Sequence, residues 1–212
     1  VLMKDPVLKH VAGQPGEELF WLLGSDGLRQ FEELPSRAPA ASMVFPQAGY
    51  AVTRSDETSS ADWLLFDAGP IADGLHHDST PSVAHGHADA LGLLLSRAGR
   101  PILIDSGTPD YNGPRNWVDY FRGPAAHNTI EVDGLPMARA AGRLAWSHVA
   151  YTSQLDACLT RDVWMLRGCM KLGTRATIER LILGLPHCGY WIADRIQMDT
   201  RRRIRWHWQL GT

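Results

Sequence analysis

An antiparallel β-sandwich preceded by a short α-helical tail is the fold class this sequence predicts. Three observations carry it. From Met43 onward, short apolar or alternating runs are separated by turn-forming residues. Long 3.6-residue periodicity largely disappears over the same stretch. Before Met43 the texture is helical and ends in a Pro/Ala/Ser-rich linker. Many short strands with frequent turns favour a sandwich over a fold of alternating strands and helices.

Residues 1 to 35 read as helical. Asp5-Pro6 has the form of an N-cap followed by proline at the first helical position. Pro15-Gly16-Glu17-Glu18 opens a second segment, Leu19, Phe20, Leu22 and Leu23 supply its apolar side, and Gly24 is expected to stop it. Residues 35 to 42 form the linker. The strands expected thereafter are 50–54, 63–67, 91–96, 101–105, 128–132, 145–152, 163–166, 175–183, 190–197 and 203–210. Ala98-Gly99-Arg100 suits a hairpin turn between the third and fourth, and Asp133-Gly134 closes the fifth.

The charge balance, 21 basic against 23 acidic residues, carries no footprint for nucleic acid or an anionic membrane. No apolar run approaches the roughly 20 residues a membrane-spanning helix needs. The sequence starts at Val1 without an initial Met and without a charged-then-apolar leader, so the chain reads as starting inside a longer protein. Cys158, Cys169 and Cys188 are odd in number and lack CxxC spacing; they read as small buried hydrophobes, with one disulfide still open.

The chemistry concentrates between His85 and Gly134. In an extended chain His85 and His87 point to the same side and into one cavity. Asp105 ends an apolar strand just before a Gly turn, and His127 precedes another strand. Imidazoles and a carboxylate at strand ends suit a divalent metal, zinc above all. The bland reading stands beside this one: Asp105 capping a turn, and His127 a hydrogen-bonded core residue.

The blocks His85-Gly86-His87-Ala88-Asp89-Ala90-Leu91, Pro101-Ile102-Leu103-Ile104-Asp105-Ser106-Gly107-Thr108, Tyr120-Phe121-Arg122 and Ala125-Ala126-His127-Asn128-Thr129-Ile130-Glu131-Val132-Asp133-Gly134 occur in this order. Together they resemble the signature of the heparinase II/III-like polysaccharide lyases. The flanking runs 45–54 and Ile192-Ala193-Asp194-Arg195 resemble that family's strands as well. The resemblance covers residues 43 to 210. It implies an N-terminal (α/α) toroid, of which residues 1–42 would be the end and linker, and a C-terminal β-sandwich from 43 to 212. It implies β-elimination on a uronic-acid polysaccharide, a glycosaminoglycan or alginate, bound between the two domains, in a periplasmic or secreted protein. His85 would line the catalytic cleft, and His87, Asp105 and His127 would hold a structural Zn2+. The toroid would supply the catalytic Tyr and the group that neutralises the substrate carboxylate, so these residues alone are expected to be inactive. Two rival readings remain: a non-catalytic carbohydrate-binding or structural metal-containing sandwich in exopolysaccharide metabolism, and a metal-dependent hydrolase of another family.

Other residues are weighed more lightly. Asp89 reads as a backbone-bonding neighbour of the metal ligands. Tyr111, Tyr120 and Arg122 are equally compatible with the cleft and with ordinary surface packing. His76-His77-Asp78 reads as solvated loop, and His148, His187 and His207 as strand or turn residues. Arg201-Arg202-Arg203 reads as a solvated strand edge. Trp206 and Trp208 alternate around His207 and are expected to share one side, facing the core.

Overall fold

The computed structural model of the chain describes residues 2–38, 42–58, 60–71, 85–153 and 155–211. The chain divides into two compact units, Val1–Ala41 and Ser42–Thr212.

The first unit is helical. Helix α1, Pro6–Ala12, opens where Asp5 accepts hydrogen bonds from the Val7 and Leu8 amides at 2.7 and 3.3 Å, with Pro6 at its first turn. Helix α2 spans Glu17–Glu33. Gly24, at φ +65° and ψ −165°, is non-helical and stops the first segment as expected, and a second helical segment follows it across a kink. Glycine tolerates the positive φ without a loop, and the continuation buries Phe31, whose carbonyl and ring both meet the Lys9 ammonium.

Among the described residues the second unit carries fourteen strands: β1 Met43–Phe45, β2 Tyr50–Arg54, β3 Trp63–Asp67, β4 Gly92–Arg97, β5 Arg100–Leu103, β6 Ile130–Val132, β7 Ala138–Ala140, β8 Trp146–Val149, β9 Tyr151–Thr152, β10 Asp156–Leu159, β11 Trp164–Leu172, β12 Ala176–Leu185, β13 Gly189–Met198 and β14 Ile204–Trp206. One five-stranded sheet runs β1-β2-β3-β4-β5, and a second runs β10-β11-β12-β13 with β9 on β11. The pairs β14-β6 and β7-β8 form small separate ladders. All pairings are antiparallel. The β4-β5 hairpin turns at Ala98-Gly99, both at positive φ, as a two-residue hairpin requires.

Alternation explains the packing. On β11, Trp164, Leu166, Met170 and Leu172 point inward; on β12, Ile178 and Ile182 do so, while their neighbours are more exposed. All of these except Trp164 meet Ala51, Leu64, Phe66, Leu93 and Leu95 of the first sheet in one core. Gly168 marks a close approach of the two sheets. A Cβ there would lie 2.6 Å from Ala68 Cβ, 2.8 Å from Leu91 Cδ2 and 3.0 Å from Phe66 Cζ.

Three sequence expectations need amendment. Helix α3, Arg115–Arg122, went unpredicted because eight residues, of which just Val118 and Arg122 are buried, leave too little periodic signal. Strands β1, β7 and β10 were missed because all three are short and stay largely exposed, so no burial alternation stands out. Trp206 and Trp208 do share a side, but they are 48% and 38% exposed and do not face the core. Trp206 Nε1 donates to Asp194 at 2.9 Å, and the Trp208 ring lies 5.3 Å from the Arg180 guanidinium. The two indoles thus flank an ion pair.

Gly168→Val is expected to lower the unfolding free energy by about 1–3 kcal/mol through overpacking between the sheets. Urea denaturation would show it as a lower midpoint at unchanged m-value.

Candidate functional site

The site is built from three stretches that flank strands. Residues 85–91 lead into β4, residues 104–108 follow β5, and His127 lies between the short 3-10 turn Pro124–Ala126 and β6. The residues after His127 are fasteners. Asn128 Nδ2 donates to the Leu93 and Ile104 carbonyls, both at 2.8 Å, and its Oδ1 accepts from the Gln209 amide at 2.6 Å. Thr129 Oγ1 donates to the Ala90 carbonyl at 2.6 Å. One short run therefore laces the stretches before β4 and after β5 to β6, and leaves His127 aimed between them.

Arg180 reinforces this from the opposite sheet. Its fully buried guanidinium pairs with Asp194 at 2.8 and 3.0 Å and donates to the carbonyls of Leu91 (2.7 Å) and Asn128 (2.9 Å). The first carbonyl lies two residues beyond Asp89 and the second one residue beyond His127. Sequence reading passed over this pair, although a signal existed. Arg180 sits in the inward phase between Ile178 and Ile182, as Asp194 does between Ile192 and Ile196.

His127 is 1% exposed. Its Nδ1 lies 2.6 Å from Asp105 Oδ1 and its Nε2 3.1 Å from the Phe121 carbonyl. Burial opposes its charge, but the Asp105 hydrogen bond and the nearby Asp89 and Asp105 charges outweigh that and raise its pKa. The His87 ring stands 5.0 Å from the His127 ring, with Nε2 3.0 Å from Thr108 Oγ1. Burial, reinforced by His127, pulls the His87 pKa down to about 4, leaving a neutral imidazole at neutral pH. Donor atoms of His87, Asp89 and His127 all lie within 4.8 Å of one another. Asp105, its side chain 41% exposed, meets this group through His127 and also accepts from the Gly107 amide at 2.8 Å. Asp105 thus caps the turn before Gly107 and bonds His127.

A cavity of about 190 Å³ adjoins this group, lined in part by Tyr50, Asp67, Asp89, Asp105 and His127. Burial first, then the Asp89 charge, raises the Asp67 pKa to about 7. Burial raises that of Asp89 as well. Buried carboxylates of this kind, beside two imidazoles whose second nitrogens are held by a carbonyl or a hydroxyl, fit a divalent cation chemically.

His85 takes a different course. Its φ of +72° ends any extended run, so His85 and His87 diverge instead of sharing one face. The imidazole of His85 is exposed and meets the Tyr111 ring edge-on at 5.2 Å. Tyr111 therefore stands beside it. Tyr120 is 49% exposed and packs on Phe121. Arg122 fits neither of its sequence readings, because it is 1% exposed. Its burial went unseen since a Tyr-Phe-Arg run gives no facing information without the helix.

The remaining candidates lie apart from this group. His148 is exposed on β8, His187 occupies a positive-φ turn, and His207 Nε2 bonds Glu131 at 2.9 Å. Arg202 bonds the Asp133 carbonyl at 3.2 Å, while Arg201 and Arg203 are exposed. All three cysteines are free, with Cys158 and Cys188 exposed, contrary to the buried reading. His76-His77-Asp78 lies outside the described residues.

The family model for the heparinase II/III-like C-terminal domain matches residues 37–212. The chain belongs to this family. Solved structures with the same fold include the heparan sulfate lyase HepC of Pedobacter heparinus, at TM-score 0.68 and 17% identity over 98% of this chain and 30% of that one. A heparinase III gene product matches at TM-score 0.62 and 18% identity, over 93% of this chain and 28% of its own. Another heparinase III structure matches at 0.61 and 15%, over 89% and 28%. This heparinase-like chain thus spans about three tenths of the length of those structures. Comparison with curated proteins finds no match. Among the described residues no helix is long and apolar enough to cross a membrane.

If this group holds zinc, as proposed below, zinc at a hundredfold excess over its Kd stabilises the domain by about 2.7 kcal/mol, read as a rise in melting temperature. His87→Ala and His127→Ala are expected to abolish that rise, and Asp105→Ala to reduce it.

Proposed function

We propose that this chain is the β-sandwich part of a polysaccharide lyase that cleaves uronic-acid polymers by β-elimination. The family membership supports it, as do solved neighbours described as heparan sulfate lyase and heparinase III. The observation that carries the reading is the divergence within His85-Gly86-His87. One imidazole is exposed beside Tyr111, and the other joins a half-buried donor group two residues away.

In β-elimination the C5 proton of the uronate leaves and its electron pair forms the C4–C5 double bond. The C4–O bond breaks, and the departing sugar oxygen takes a proton. Removing the C5 proton beside a charged carboxylate is difficult, and preorganised donors that stabilise the enolate do most to lower that barrier. In this reading His85 acts as donor to the enolate or as the proton-transferring acid or base. His87, Asp105 and His127 would hold zinc, which when bound supplies a cross-link between the segments before β4, after β5 and before β6. That cross-link fixes where His85 stands.

In this reading residues 1–42 are the end of an α-helical toroid and its linker. The rest of the toroid supplies the catalytic Tyr and the groups that bind the substrate carboxylate. The chain alone then has half a cleft and no turnover.

The complete polypeptide is expected to release an ultraviolet-absorbing unsaturated uronate from heparan sulfate, another glycosaminoglycan or alginate. His85→Ala should lower kcat by about 10²–10⁴-fold, the range typical of general acid–base groups. Full turnover by His85→Ala removes His85 from the chemistry. A complete, metal-loaded protein that binds these polymers without cleaving them favours the carbohydrate-binding sandwich instead.

A further inference from the structure

His85 adopts a left-handed backbone conformation although it has a side chain, a strain that persists where the surroundings over-determine it. Those surroundings are specific. The Gly86 carbonyl accepts from Trp146 Nε1 at 2.8 Å and lies 3.4 Å from both Nε and Nη2 of Arg122. The rest of the guanidinium is spent on the carbonyls of Leu144, at 2.7 Å, and Arg143. Leu144 O also accepts the His85 amide at 3.2 Å, and the carbonyl of Arg122 accepts the Ala88 amide at 2.8 Å. Contacts on both sides of the His85–His87 run thus return to one arginine.

Arg122 is unusual for a buried cation. It is 1% exposed, its guanidinium stacks 4.1 Å from the Trp146 ring, and Trp146 is itself 6% exposed. Among the described residues its hydrogen bonds all go to backbone carbonyls and none to a carboxylate. A rigid planar fork can serve three carbonyls at once; a lysine ammonium on a flexible stem cannot reproduce that geometry. Since a buried charge is costly, its retention here fits a task of orientation.

We propose that Arg122 is a positioning residue: with Trp146 it clamps the Gly86 carbonyl and holds His85 in the left-handed turn that sends its imidazole out beside Tyr111 while His87 turns inward. The functional half of this rests on the reading of His85 as the group that meets the substrate.

Two conservative variants test it, Arg122→Lys and Trp146→Phe, with Trp164→Phe as comparator. Trp164, on β11, is at least as buried, at 2% exposure. In the zinc-supplemented 212-residue chain, hydrogen exchange at the His85 and Ala88 amides is expected to quicken at least tenfold in both variants, with β11 and β12 amides unchanged. In the complete lyase each variant should lower kcat at least tenfold, with KM within threefold of wild type and zinc content unaltered. Trp164→Phe should do neither. Unchanged exchange at His85 and Ala88 in Trp146→Phe overturns the clamp, and so does an equal kcat loss in Trp164→Phe. Should Arg122→Lys fail to fold, Trp146→Phe decides alone. Full turnover by His85→Ala would remove the catalytic reading, whereas the exchange result would still decide the clamp.

Discussion

The guanidinium of Arg180 is the point at which the two sheets and the candidate site become one object. It rises from the middle of β12 into the core, where an unpaired charge would be costly to bury. Asp194 across the ladder neutralises it, and the carbonyls of Leu91 and Asn128 accept its remaining donors. Losing either partner of such a pair typically costs about 3–5 kcal/mol, because the other is left buried and unpaired. The charge thus demands that residues 91 and 128 stay close together. Trp206 and Trp208 cover it, which explains two large aromatic rings on a partly exposed edge.

The rest of the site follows from that constraint. Once the backbone at 91 and at 128 is fixed, Asp89 and His127 sit a residue or two away, and their side chains have little freedom to part. Asn128 and Thr129 tie the same place to β4 and to the stretch beyond β5, which brings in Asp105. The apolar contribution is equally specific. Gly168 lets the second sheet close on Phe66, Ala68 and Leu91, just behind the same segment. Packing and polar bonding therefore fix one locus, and the donor group is the consequence.

A division of labour emerges between two buried arginines. Arg180 fixes the frame that holds His87, Asp89 and His127 near one another. Arg122 fixes the turn that carries His85 away from them. In the proposed lyase these are two separate requirements. A cation needs donors withdrawn from water, whereas a sugar needs an imidazole that it can reach. Placing both histidines within a tripeptide satisfies both, provided that the backbone between them reverses.

The blocks from His85 to Gly134, and the alternation of β2, β3 and β12, were enough for the sequence by itself to determine a sandwich and its family. Periodicity is a local property, and these strands have one buried face each. What tertiary structure decided is whatever depends on contacts across sheets. The sequence does not show that His85 and His87 diverge, because a positive φ at a histidine is imposed by Arg122, Trp146 and Leu144 from elsewhere in the chain. Nor does it show that Asp89 stands within reach of both imidazoles, or that Arg122 is buried. Trp206 and Trp208 were placed on the right side and at the wrong depth for the same reason: alternation sets which way a side chain points, and only the neighbouring elements set what it meets.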